Sequence, residues 1–475
     1  MNATVHRLAA LTLLGALAGA PAVSAQQAPA PAPSAAPAAA VSALSVPVLR
    51  ERLDNGMRVV LSPDRTVPTV AVALYYDVGS RVEPSGETGF AHLFEHLMFE
   101  GTTSLPKGEF DRLLSLVGAD SNATTSEDRT NYFEQLPAHA LELGLWLEAD
   151  RMRALAITGE AFENQRLTVM EERRQSYENR PYMRSFLRRD ELFYDGYFPY
   201  AHSTIGATRD LEMPGVAADE QLRRVRAFHA RYYAPDNAVL VIAGDFEPSS
   251  AMALVHRTFD DIRTHRGAAW EDPEYVPHEG ERSDRMVDPL AETPAFHIVW
   301  HVPPRRTPDH YPLEVLANVL GGGHSSRLYR TLVHDRELLS EVEIDTEDRR
   351  GPDMLALWAI CAQGHTPEAV RAVLDSQLAD VMAHGITARE LEKARNNIHA
   401  AFVFGLQRPL ERAEQLGTTE LFDGDASFVN SELARYDAVT LADVQRVAAQ
   451  YLRSANRVVL DVVPSAPARN QAPRE

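Results

Sequence analysis

The chain has 475 residues, 45% apolar and 24% charged, which suits a globular protein of two or three domains and excludes a fibrous or disordered one. A formal net charge of −20 argues against nucleic acid as a partner, since a phosphate backbone selects basic faces. Cys361 is the only cysteine, so no intramolecular disulfide can form.

The chain opens with MNATVHR, which carries positive charge, followed by the short apolar run LAALTLLGALAGA and the small-x-small pattern of PAVSA. Residues 1–25 therefore read as a secretory signal peptide, because about 13 apolar residues are too few to span a bilayer. No later segment is long and apolar enough, so no transmembrane segment is expected after signal cleavage. The expected location is outside the cytoplasm, in the periplasm. Residues 26–45 are Pro/Ala-rich and read as a semi-extended linker.

MRVVLSP (57–63) and TVAVALYYDVG (69–79) have the apolar, β-branched character of strands. The next stretch, GFAHLFEHLMFEGT (89–102), sets ionisable groups in an apolar run. On a helix, His92 and His96 lie on one face a turn apart, and Glu95 points toward that face, one position off the line. Phe90, Leu93, Phe94, Leu97, Met98 and Phe99 leave little polar face, and buried charged groups need pairing or a metal. Two neutral imidazoles and one further carboxylate make a three-ligand zinc site whose fourth position is open to water. Glu95 could then take the proton of that water as it attacks a carbonyl. The arrangement is the H-E-x-x-H logic with the order of glutamate and histidine inverted.

Helical patterns follow at GEFDRLLSLVG (108–118), AHALELGLWLEADRMRAL (138–155) and ADEQLRRVRAFHARYY (218–233). AFENQRLTVMEERRQSYENRPY reads as a long helix from about 160 to 179, with Glu171 and Glu172 near its middle. The residues themselves do not choose between these carboxylates as the third ligand.

A faint internal repeat aligns VRAFHARYYAPDNAVLVIAG (225–244) with VQRVAAQYLRSANRVVLDVV (444–463). It pairs Val225 with Val444, Tyr232 with Tyr451 and Asn237 with Asn456 at a constant offset of 219. Each segment reads as a helix, a turn and a buried strand, which implies two duplicated domains. The halves are expected at 46–262 and 290–464, with the polar, aperiodic stretch 263–289 as linker and 465–475 as a disordered tail. AFHIVWHVP (295–303) opens the second half as a strand. Blocks of helices bounded by strands give an α+β fold: two homologous domains, each a mostly antiparallel sheet with helices packed on one face. At the same offset the HLFEH face meets Tyr311, Glu314 and Val315, which cannot hold zinc. GGGHSS (321–326) lacks the Lys-Ser/Thr ending of a phosphate loop and reads as a turn before the helix SSRLYRTL, with His324 peripheral. Cys361 lies in the apolar run LALWAICAQG and reads as a small buried hydrophobe.

HLFEH followed by EGT, then SNATTSEDRTNYFEQLP, VMEERRQSYENRPY and GGGHSSRLYRTL, together resemble the pitrilysin–insulinase family of zinc peptidases, the inverzincins, over roughly 48–464. The resemblance implies that the paired domains form half of a clamshell and that one zinc ion is held per chain. It implies a third ligand about 76 residues after the second histidine, which selects Glu172. It also implies that Asn122 and Ala123 sit on an edge strand that pairs with the backbone of a peptide substrate. The chain departs from the family pattern at Gln165, where many members carry a second glutamate that supports catalysis. Active members further use an arginine and a tyrosine seven apart to bind the substrate carbonyl; the matching positions are Val333 and Ser340, which cannot. The expectation is an exported zinc metalloendopeptidase, with His92, His96 and Glu172 on the metal and Glu95 as general base. It would act in a heterodimer whose homologous partner supplies the Arg/Tyr pair. The alternative is a non-catalytic structural or peptide-binding subunit of the same fold.

Overall fold

The computed structural model describes residues 45–264 and 270–465. The expected signal peptide, nearly all of the Pro/Ala-rich linker and all but one residue of the expected tail lie outside the described residues. Among the described residues no helix is long and apolar enough to cross a membrane.

Two sheets organise the chain. The first holds β1 (Leu49–Arg52), β2 (Arg58–Pro63), β3 (Thr69–Tyr76), β4 (Asp120–Thr125), β5 (Thr130–Pro137) and β6 (Ala238–Gly244), in the order β1-β2-β6-β3-β5-β4. The second holds β7 (Arg282–Asp288), β8 (Ala295–Val302), β9 (Leu339–Thr346), β10 (Asp353–Cys361) and β11 (Arg457–Pro464), in the order β7-β11-β8-β10-β9. With β1 set aside, the orders match strand for strand. Even the single parallel neighbour recurs, as β2 beside β6 and β7 beside β11. All other pairings are antiparallel.

The helices that matter below are α1 (Phe90–Leu97), α2 (Leu141–Ala154), α3 (Gly159–Arg173), α4 (Met183–Phe193) and α5 (Ala218–Tyr232) in half one. Half two contributes α6 (His310–Gly321), α7 (Pro367–His384), α8 (Pro409–Asp423) and α9 (Leu441–Tyr451). The repeat seen in sequence is a repeated joint. Asn237 Nδ2 donates to Tyr232 O at 2.8 Å and to Asp77 O at 3.1 Å. Asn456 Nδ2 donates to Tyr451 O and His301 O, both at 2.9 Å. In each half, one amide closes the helix-to-strand turn and pins it to the neighbouring strand (β8) or the residue just past its end (Asp77, after β3).

Each sheet is covered on both faces. Along β3, Val70, Val72, Leu74 and Tyr76 face the helices of their own half, while Ala71, Ala73 and Tyr75 face α8 of the other half. Gly417 in α8 sits so close that a Cβ there would lie 2.4 Å from the Tyr75 ring. Conversely, Phe193 of α4, with Phe186 and Tyr182, packs on Val299, Trp358 and Val462 of the second sheet. The two-sheet, two-domain α+β architecture is as expected, and the covering of each sheet's second face by the opposite half is an addition to it.

Two boundaries differ from expectation. Residues 263–289 were expected to be a linker, yet Arg282–Asp288 form β7, the counterpart of β2. Its alternating exposure, on an edge strand with one neighbour, leaves few apolar residues to announce it. The helix expected to run to about 179 ends at Arg173 and continues as one wider π turn, Arg174–Glu178. The SSRLYRTL segment likewise closes in a π turn, Tyr329–Asp335.

Candidate metal centre

α1 is seated by glycine and an internal acid. Gly89 begins it at φ 92°, where a side chain would strike the Ile205 carbonyl at 2.8 Å. The fully buried Glu83 carboxylate accepts from Gly89 N at 2.8 Å and Ala91 N at 2.7 Å, meeting two of the free N–H groups at the helix start. Burial still raises the pKa of Glu83 well above the usual range against those backbone bonds. No sequence rule points to Glu83, since it lies six residues before the helix and outside any capping motif.

His92, His96 and Glu172 converge. Glu172 Oε2 lies 3.7 Å from His92 Nε2 and 3.2 Å from His96 Nε2. Among the described residues this is the one group of three such side chains whose donor atoms all lie within 4.8 Å of one another. Two ligands at a tetrahedral zinc with bonds of 2.0–2.1 Å are about 3.3 Å apart, so the spacing and the N,N,O donor set both fit that ion. His92 is held near neutrality of charge, burial pushing its pKa down to about 4. Burial acts to raise the Glu172 pKa, but the hydrogen bond from His96 and the electrostatic influence of the two imidazoles outweigh it and lower it. The side chains of His96 and Glu172 are 22% and 25% exposed, which leaves that side of the cluster open. Glu171, the alternative carboxylate, points away and is bonded to Arg174 and Gln175.

Glu95 is buried beside the cluster, and its Oε2 accepts from Thr125 Oγ1 at 2.6 Å. Asn122 and Ala123 lie on β4, the edge of the first sheet, which pairs only with β5. Asn122 is exposed, and its Oδ1 accepts from Ala123 N at 2.9 Å.

Gln165 stands two turns before Glu172 on α3 and donates to Glu100 Oε1 at 2.5 Å; Lys107 completes the group at 2.6 Å. A carboxylate is thus present here, carried by the segment after α1 instead of by α3. Gln165→Glu would set two carboxylates against each other in a half-buried site. We expect it to lower stability by about 1–2 kcal/mol at neutral pH, and Gln165→Glu/Glu100→Gln to regain most of that, as read by urea unfolding.

In half two, Val333 packs against the core and Ser340 Oγ donates to Ile360 O at 3.3 Å. Neither presents a cation or phenol. His324 stacks on Tyr329 at 4.5 Å, and Cys361 is buried, its thiol pushed up to about 12 by burial.

Residues 58–197 match the family profile described as Insulinase (Peptidase family M16), and residues 220–398 match that described as Peptidase M16 inactive domain. The zinc protease PqqE of Helicobacter pylori is 28% identical over 418 residues, covering 87% of this chain and 92% of that protein. The crystal structure of a protease from Helicobacter pylori superposes with a TM-score of 0.82 at 27% identity, over 88% of this chain and all of that one. The periplasmic protease PqqL from Escherichia coli has the same fold at 19% identity and a TM-score of 0.68; 90% of this chain matches 50% of it.

Proposed function

From a chain that carries the N- and C-terminal domains of the peptidase M16 (insulinase) family, we propose a zinc-dependent metalloendopeptidase acting on peptides or unfolded polypeptides. The observation that carries this reading is the convergence of His92, His96 and Glu172 with the buried Glu95 beside them. Those three would hold one zinc ion, which when bound supplies the Lewis acid that polarises a carbonyl and acidifies water. Glu95 takes the proton of the attacking water and delivers it to the leaving amine. β4 aligns the substrate as an added strand, for which the Asn122 side chain must give up its bond to Ala123 N. The open side of the cluster supports access for an extended chain.

The oxyanion stabiliser is assigned to a homologous partner subunit that brings an arginine and a tyrosine. Val333 and Ser340 support that assignment, as does the Escherichia coli neighbour, whose single chain is twice the matched length. The leader read in residues 1–25 supports export to the periplasm, the compartment given for that neighbour.

The purified mature chain should contain one zinc per chain and cleave a quenched fluorogenic peptide only when joined by the partner, losing cleavage on chelation. Full cleavage by the lone chain would remove the partner from the proposal. Absence of stoichiometric zinc would instead favour a structural role.

A further inference from the structure

Glu95 is held from one side only. Thr125, 4% exposed, bonds to Oε2, and among the described residues nothing donates to Oε1. Half two repeats the arrangement without the histidines. α6 sets Glu314 at the place of Glu95, with Tyr311 and Val315 where half one has His92 and His96. Glu314 Oε1 accepts from Thr346 Oγ1 at 3.2 Å. Thr346 ends the edge strand β9 as Thr125 ends the edge strand β4. There the second oxygen is also taken, by the Tyr436 hydroxyl.

The glutamate–threonine bond therefore does not depend on a metal face. It is how this fold fastens a helix to the end of its edge strand, and half one differs in leaving the other carboxylate oxygen open. We propose that Thr125 is the positioning residue for Glu95. It fixes Oε2 and keeps Oε1 free for the proton. Because it terminates the strand that carries Asn122 and Ala123, it also ties the base to the strand that aligns the substrate. This rests on the reading of Glu95 as general base.

The test uses the full mature chain with its partner subunit and a fluorogenic peptide. Thr125→Val keeps the shape and removes the donor. It should lower kcat about 10- to 100-fold, the range expected for a lost bond to a charged group. KM should stay within about twofold and zinc affinity, read by chelator competition, should be unchanged. Thr125→Ser should recover most of the rate, and Thr346→Val in half two should leave it alone. If the valine variant fails to fold, Thr125→Ala makes the same comparison. The inference is overturned if the donor-less variant keeps its rate, if serine fails as badly as valine, or if zinc affinity falls in step. Glu95→Gln measured alongside separates the two ideas. An active Glu95→Gln removes the base itself, whereas an inactive one beside an active Thr125→Val removes only the positioning.

Discussion

Glu95→Gln is expected to lower kcat by about 10²–10⁴-fold while leaving zinc bound, the range that removal of a general base produces. The substitution is close to isosteric, and the amide oxygen can still accept from Thr125 Oγ1, so the helix keeps its seat. His92, His96 and Glu172 are untouched, and metal content should remain stoichiometric. What disappears is a carboxylate able to accept a proton. The measurement is the cleavage rate of a fluorogenic peptide with zinc determined on the same sample. Peptide capture without turnover predicts zinc binding and no product from either form, so absence of cleavage by the unsubstituted chain with its partner would leave that reading standing. An unaltered cleavage rate in the variant would instead remove Glu95 as the base.

Arg151→Met is expected to cost about 3–5 kcal/mol, the size seen when one partner of a buried ion pair is taken away. Arg151 is 2% exposed on α2, with Nη2 3.2 Å from Glu134 and both Nε and Nη2 bonded to Glu148; both acids are fully buried. Its guanidinium lies 4.5 Å from the Tyr132 ring centroid and 4.8 Å from that of Phe110. Without it two carboxylates face each other in the core. Glu134 is already raised well above the usual range by burial and by Glu148. A raised folded-state pKa means the native form binds more protons than the unfolded one, so stability increases as pH falls toward the unfolded value. The deficit of the variant, measured by urea unfolding, should therefore be largest near pH 7 and shrink toward pH 5. The loss should reach the candidate metal centre too, because Tyr132, on which Arg151 rests, donates its hydroxyl to Phe94 O in α1 at 3.0 Å. A deficit below about 1 kcal/mol would contradict the view of Arg151 as the sole counter-charge of these acids among the described residues.

Much of the candidate site is readable because holding a metal would impose local spacing. His92, Glu95 and His96 stand within one helical turn, and their apolar company made burial foreseeable. Glu172 was not derivable from its own surroundings; only the family spacing separated it from Glu171, and the structure turns Glu171 toward Arg174. Glu83 and Thr125 were invisible for a different reason. Glu83 bonds to backbone N–H groups six and eight residues ahead, beyond the reach of any capping motif, and Thr125 acts through a bond to Glu95 made 30 residues away in the chain. β7 leaves no clear signal in the sequence because an edge strand with one neighbour and one wet face needs no apolar run. The double covering of the sheets did leave a trace. Thr69–Tyr76 is apolar at nearly every position, which an antiparallel strand with one solvated face would not require.

That double covering has a consequence for any attempt to take the molecule apart. A fragment ending near residue 262 would keep α4 with nothing to rest on and would strip α8 from Ala71, Ala73, Tyr75, Val239 and Val241. The complementary fragment would bare Val299, Met354 and Val458 in turn. Each piece would carry one sticky sheet face and one homeless helix. Such pieces are expected to precipitate when made separately, yet to find one another when made together, because each holds the missing cover of the other.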